Sequence, residues 1–218
     1  MKKIMFNDTF GLTAAVLNGS KTMTRRVIPP IEVEWNRRGK VRLPILGFEH
    51  GVLLMDTSGI LGSREKYSAP NKYQPKYEIG EIVAVAQSYR DIHEMMMADF
   101  GNSIFDAFRN AYVADSKGWN NKMFVLPELM PYKIKITGIK LERLWHISDE
   151  DCLKEGIRQI TEAFTGELVY TYTNSEINYS YAKTAFACLY EKINGKGTWK
   201  KAPWCYAYTF ELVKGGNQ

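Results

Sequence analysis

The chain has 218 residues, 45% of them hydrophobic and 24% charged, with 29 basic and 24 acidic side chains giving a net charge of +5. This length suits one elaborated domain or two small ones with a sizeable core. No uninterrupted apolar run is long enough to span a membrane, and the start "MKKIMFNDTF" lacks an apolar stretch of signal-peptide length, so the chain is read as cytoplasmic with no membrane partner. Three widely separated cysteines (Cys152, Cys188, Cys205) without a CxxC pair argue against a disulfide framework or a cysteine-rich zinc site. Three scattered histidines without HExxH spacing argue against a metal site of another kind.

Taken in order, Asn7 or Asp8 is placed to cap a short helix through "TFGLTAAVLNG", which Gly19 ends in a left-handed conformation. "NGSKTMTRRVIPP" follows, rich in donors and stopped by Pro29-Pro30. Residues 31–76 read as irregular, with a hairpin around Arg38-Gly39 and a polar loop in "GSREKYSAPNKYQPKY". Gly80 sets a turn before a buried strand from Ile82 to Ala86. "DIHEMMMADFGNSIFDAFRNAYVAD" reads as helical with a break at Gly101, its methionines packing into a core. "YKIKITGIKLERL" alternates as two short strands, or as one bent at Gly138.

"ISDEDCLKEGI" carries the clearest local signal. Ser148 is a helix N-cap with Asp151 three residues later, Ile147 and Cys152 take the staple positions, and Gly156 is the stop. "YSYAKTAFACLYEKING" places Ala182, Ala185, Phe186, Leu189, Tyr190 and Ile193 on one helical face. "PWCYAYTFELV" alternates as a strand with one strongly apolar face. Short strands mixed with helices, without regular βα alternation, indicate an α+β fold around a small barrel.

The segment from Lys21 to Arg42 holds seven basic residues (Lys21, Arg25, Arg26, Arg37, Arg38, Lys40, Arg42) against Glu32 and Glu34, an excess of +5. A clustered excess of this kind is what a phosphate-binding face requires. Thr22 and Thr24 share a face of an extended strand, from which both can donate to a phosphate or a base edge. Trp199 and Trp204 flank the basic "KKAP", and aromatic faces beside lysines stack nucleobases. Glu155 lies at the C-terminal end of its short helix, where the dipole disfavours a carboxylate, and a nearby cation such as Lys21 would offset that cost. A lysine acts as a base only if burial or a neighbouring cation lowers its pKa, and Arg25 and Arg26 stand beside Lys21 in sequence. An extended strand sets Lys21 and Thr24 on opposite faces, so they converge only through a turn or bulge. No glycine-rich phosphate loop, dinucleotide fingerprint or serine elbow is present, and no cofactor is expected.

Four blocks, "VLNGSKTMTRRVIPP", "YEIGEIVAV", "ITGIKLERLWHISDEDCLKEGI" and "PWCYAYTFEL", resemble the ASCH domain family of the PUA-like superfamily, and most resemble its larger phage and prophage members. The four blocks cover about a quarter of the chain. It implies a single domain over residues 1–218, a PUA-like small mixed β-barrel decorated with helices and with insertions near 31–76, 90–130 and 158–180. It also implies a cleft between the GxKTxTRR loop and the acidic helix that binds RNA or a modified nucleoside. Lys21, Thr24 and Glu155 are the catalytic candidates it carries over. Thr22, Arg25, Arg26, Arg37, Arg38 and Trp204 are the binding candidates, with no metal. The alternative is an amidohydrolase removing an acyl group from a nucleoside such as 4-acetylcytidine, with a ribonuclease a further variant. A phage-encoded protein-interaction module is the third reading. The sequence departs from the larger members at Gln87-Ser88, where an arginine-glutamate pair is expected. Oligomeric state is not legible.

Overall fold

A computed structural model of the protein describes residues 1–34, 39–58, 66–100 and 116–213, without side-chain detail for 96–100. Twelve strands and four α-helices are seen among them. In chain order they are β1 (Lys2–Ile4), α1 (Leu12–Leu17), β2 (Met23–Val27), β3 (Ile31–Glu34), β4 (Lys40–Leu43), β5 (Ile45–Glu49), β6 (Val52–Asp56), β7 (Lys66–Ser68) and β8 (Ile82–Val85). There follow α2 (Tyr89–Phe100), β9 (Lys133–Arg143), α3 (Asp149–Lys154), β10 (Arg158–Thr161), β11 (Leu168–Thr171), α4 (Ala182–Asn194) and β12 (Trp204–Val213). The fold class is α+β. The expected small barrel is not closed among the described residues, since no sheet there returns to its first strand. No helix among them is long and apolar enough to cross a membrane.

The chain forms two compact units, each built from separate stretches. The first comprises residues 1–20, 82–135 and 211–218. Its β1 runs parallel to β8, pairing Lys2 with Val83 and Ile4 with Val85, and β8 pairs antiparallel with the start of β9. Strand β8 is buried from Val83 to Val85, as its uninterrupted apolar sequence requires. Ala84, Ala86, Ile92, Val125 and Met130 form its core. Ser88 caps α2: its hydroxyl accepts from the Asp91 amide at 3.1 Å while the Asp91 carboxylate accepts from the Ser88 amide at 2.8 Å. This reciprocal box explains the serine at one of the two departure positions. Gln87, at the other, is buried with its Oε1 unpaired. The helix expected across residues 101–115, Gly101 included, lies outside the described residues.

The second unit comprises residues 21–81 and 136–210. Within it β9, β12 and β2 are neighbours in that order. Strand β2 pairs antiparallel with β12, setting Thr24 opposite Tyr208, Arg25 opposite Ala207 and Arg26 opposite Tyr206. Strand β12 was expected to bury one face. Both are covered: Tyr206 and Tyr208 pack against Phe48 and Tyr77 on one face, and Cys205 and Ala207 on the other are buried as well. Strand β9 is one continuous element, and Thr209 of β12 lies against Gly138. A Cβ there would stand 2.5 Å from Thr209 Oγ1.

The described residues between 31 and 76 are not irregular. β3 and β4 form a hairpin pairing Ile31 with Leu43 and Glu32 with Arg42. β5, β6 and β7 form a three-stranded antiparallel sheet, and β7 falls within the stretch read as a polar loop. The strands are three to five residues long, and the β5–β6 register shifts between Ile45 and Gly47. Alternation is therefore too short or too broken to show in sequence. Gln74 ties this sheet together, accepting from the Leu53 amide at 2.7 Å and donating to the Ala69 carbonyl at 2.6 Å. Helix α3 has the expected N-cap, with the Asp151 amide donating to Ser148 Oγ at 3.1 Å, and Ile147 and Cys152 both buried. Helix α4 buries Ala182, Ala185, Phe186, Leu189 and Tyr190, while Ile193 at its end is exposed.

Candidate functional site: a buried charge network and a basic aromatic pocket

The loop before β2 and the end of α3 meet through main chain and side chain together. The Thr22 amide donates to the Lys154 carbonyl at 2.9 Å, satisfying one of the orphan acceptors at the helix C-terminus. Thr22 also accepts from the Phe210 amide at 2.9 Å. This clasp fixes Lys21, whose Nζ donates to Glu155 Oε2 at 2.6 Å and to the Glu155 carbonyl at 2.7 Å. Four residues on, Arg25 reaches the same carboxylate, its Nη1 3.1 Å from Glu155 Oε1. Its Nη2 donates to Asp151 Oδ2 at 2.8 Å and its Nε to Glu142 Oε1 at 2.8 Å.

Lys140 closes the set, with Nζ 2.6 Å from Glu142 Oε2 and 3.6 Å from Asp151 Oδ2. Three cations therefore face three carboxylates. Lys21, Arg25, Glu142, Asp151 and Glu155 are all buried and only Lys140 reaches solvent. Burial pulls the Lys21 ammonium below its usual pKa, and Arg26 and Arg25 add to the effect against the pull of Glu155. Arg25 is held above its usual range: burial opposes its charge, but Glu155 and Glu142 outweigh it.

Lys21, Arg25 and Glu155 thus come together. Thr24 is buried beside Arg25 in β2 but belongs to the opposite face, with Tyr208 across the ladder. Arg26 shares that face and is exposed. Arg37 and Arg38 lie outside the described residues. Glu142, Asp151 and Lys140 were missed as partners. Lys140 and Glu142 alternate on one face of β9, and Asp151 was visible only in its capping position. With every buried cation matched, Lys21 and Arg25 have little charge left for a phosphate.

The accessible chemistry lies beside this network. A cavity of about 770 Å³ is lined by the end of β2 and the Pro29-Pro30 turn, by β4 and by Arg143, Lys201 and Trp204. Backbone bonds fix its walls: the Ile28 amide donates to the Trp204 carbonyl at 2.8 Å, and the Leu144 amide to the Pro203 carbonyl at 2.9 Å. The Arg143 guanidinium lies over the Trp204 ring, 4.6 Å from its centroid, and its Nη1 donates to the Ala202 carbonyl at 3.0 Å. Trp199, in contrast, packs edge-on to Phe186 and Tyr190 at 6.0 and 6.3 Å. Arg143 and Lys201 were not singled out in the sequence, although Lys201 belongs to the "KKAP" stretch beside Trp204.

The arrangement defines an α+β protein with a sealed ionic core next to an open cationic, aromatic cavity. No protein-family model, no curated protein and no solved structure matches the chain.

Proposed function

We propose that this protein binds RNA or a modified nucleoside, and that the base is held in the cavity beside Trp204. One observation carries the reading: Arg143 and Trp204 form a ready-made stacking platform at the edge of a 770 Å³ cavity. Aromatic and guanidinium planes hold unstacked bases by about 1–3 kcal/mol each, and the volume is in the range of small-molecule sites. The resemblance to the ASCH family and its PUA-like fold agrees with this ligand class and with the meeting of Lys21 and Glu155. In this reading Lys21 and Arg25 hold β2 against α3, and the phosphate contacts fall to exposed cations. The test is fluorescence anisotropy with a labelled single-stranded RNA over a range of salt. The expected result is binding that weakens steeply with salt and is lost in Trp204→Ala. Salt-independent binding, or full binding by the variant, would count against it.

A second reading, hydrolysis of an acylated nucleoside, is favoured by one feature. Lys21 is a lysine of lowered pKa in contact with a carboxylate, a pair able to move a proton. Thr24 faces away from that pair and the pair is buried, which counts against this reading. Release of cytidine from 4-acetylcytidine by the parent but not by Lys21→Met, with both folded, would support it. Equal release by both would remove it.

A further inference from the structure

We infer that the cavity recognises a single unpaired nucleotide together with its phosphate, and not a neutral nucleoside. This deepens the proposed function and rests on it. Among the described residues the lining includes three cations, Arg42, Arg143 and Lys201, and no carboxylate. The rest of the wall is largely aliphatic and prolyl, among them Ile28, Pro29, Pro30, Leu43 and Pro203. Such a surface suits a flat apolar body attached to an anion. A neutral nucleoside would fill the apolar part and leave the cations unused.

The three cations have donors to spare. Lys201 is exposed and makes no ion pair among the described residues. Arg143 gives one N–H to the Ala202 carbonyl, which leaves most of the five donors of a guanidinium open. Arg42 pairs with Glu32 at 3.1 Å, but both side chains are well exposed, 74% and 38%. A pair of that kind contributes little and exchanges readily for a better anion.

The backbone between these groups has an uncommon conformation. Ala202 has φ of +42°, in the left-handed region that a residue with a Cβ rarely adopts. It directly follows Lys201, stands two residues before Trp204, and supplies the carbonyl that Arg143 holds. One turn thus sets an ammonium, a guanidinium and an indole at the rim. Strained positions of this sort persist where the surrounding structure over-determines them, often at ligand clamps. An unpaired base is required because the platform offers a ring face, which a base stacked within a duplex cannot meet.

The experiment is calorimetric titration of the full chain with cytidine, cytidine 5′-monophosphate, adenosine, adenosine 5′-monophosphate, inorganic phosphate, a short single-stranded RNA and its duplex. Each monophosphate is expected to bind about tenfold or more tightly than its nucleoside, the worth of one charge-assisted contact. Lys201→Ala and Arg143→Ala should remove that advantage. Lys201 is exposed and makes no ion pair among the described residues, so Lys201→Ala does not threaten the fold. Comparison of the monophosphate with the strand distinguishes a free nucleotide from a nucleotide within RNA. Equal affinity for nucleoside and monophosphate would overturn the phosphate contact while leaving base binding intact. Inorganic phosphate binding as tightly as the monophosphates would make this a plain anion site and overturn it too. Duplex binding as tight as single strand would overturn the unpaired base. No binding by any nucleoside, nucleotide or strand would remove the proposed function itself, and this inference with it.

Discussion

The Lys21 ammonium stands 2.6 Å from the Glu155 carboxylate, bridging 134 residues of chain, with both groups buried. Glu155 closes α3 at the end where the helix dipole opposes a negative charge. Lys21 and Arg25, one on each carboxylate oxygen, offset that cost. The ammonium in turn is kept charged in a dry place by this carboxylate. Neither group is comfortable without the other.

Removal of Glu155 takes from Lys21 its carboxylate while Arg25 keeps Glu142 and Asp151, and removal of Lys21 leaves Glu155 with Arg25. Glu155→Gln is expected to cost about 3–5 kcal/mol of stability, as breaking buried pairs does, and Lys21→Met less. Urea unfolding of both variants gives the order. A cost under about 1 kcal/mol for Glu155→Gln would mean that water reaches the network.

The Ser148 hydroxyl accepts from the Asp151 amide, and Asp151 also holds Arg25. Ser148→Ala should lose about 1 kcal/mol, read as a lower denaturation midpoint at unchanged slope. Ser148→Asp should keep most of the parent's stability, since aspartate caps as well as serine.

Gly138 has no room for a side chain because Thr209 Oγ1 lies 2.5 Å from where a Cβ would be. Gly138→Ala should destabilise by roughly 1–3 kcal/mol, the usual cost of overpacking. Adding Thr209→Ala should restore part of that loss. Two independent costs that simply add would show that the threonine is not the obstacle.

Alkaline pH should weaken the fold. Burial pushes Cys152 and Cys205 from 9.0 to about 12, and Tyr77 and Tyr190 from 10.0 to about 12. The folded chain keeps these protons where the unfolded chain has released them, so their contribution is full below pH 9 and is lost as pH rises through about 12. Lys21 works the other way, since its lowered pKa releases a proton that the unfolded chain holds until 10.5. Burial pushes Tyr206 and Tyr208 up as well, so the raised groups outnumber the one lowered lysine, and the urea midpoint is expected to fall between about pH 8 and about pH 11. A rising midpoint would show that Lys21 outweighs them.

The features legible in the sequence are those that a few neighbouring residues decide. The Ser148 cap, the left-handed Gly19, the apolar face of α4 and the buried run of β8 each follow from local spacing and backbone preference. The β5–β7 sheet was hidden because three- to five-residue strands with a register shift carry no readable period. Burial of the second face of β12 was hidden because what packs on a face comes from elsewhere in the chain.

The candidate site divides in the same way. Sequence alone determined that the loop after α1 is donor-rich, that Glu155 sits at an electrostatically awkward helix end, and that Trp204 stands beside lysines. Tertiary structure alone decided which charges are used up and which remain open. Arg25 meets its carboxylates across 117 to 130 residues, and Arg143 meets Trp204 only because β9 and β12 lie side by side. Charge is a property of a residue, but its availability depends on burial and on partners, and long-range packing sets both.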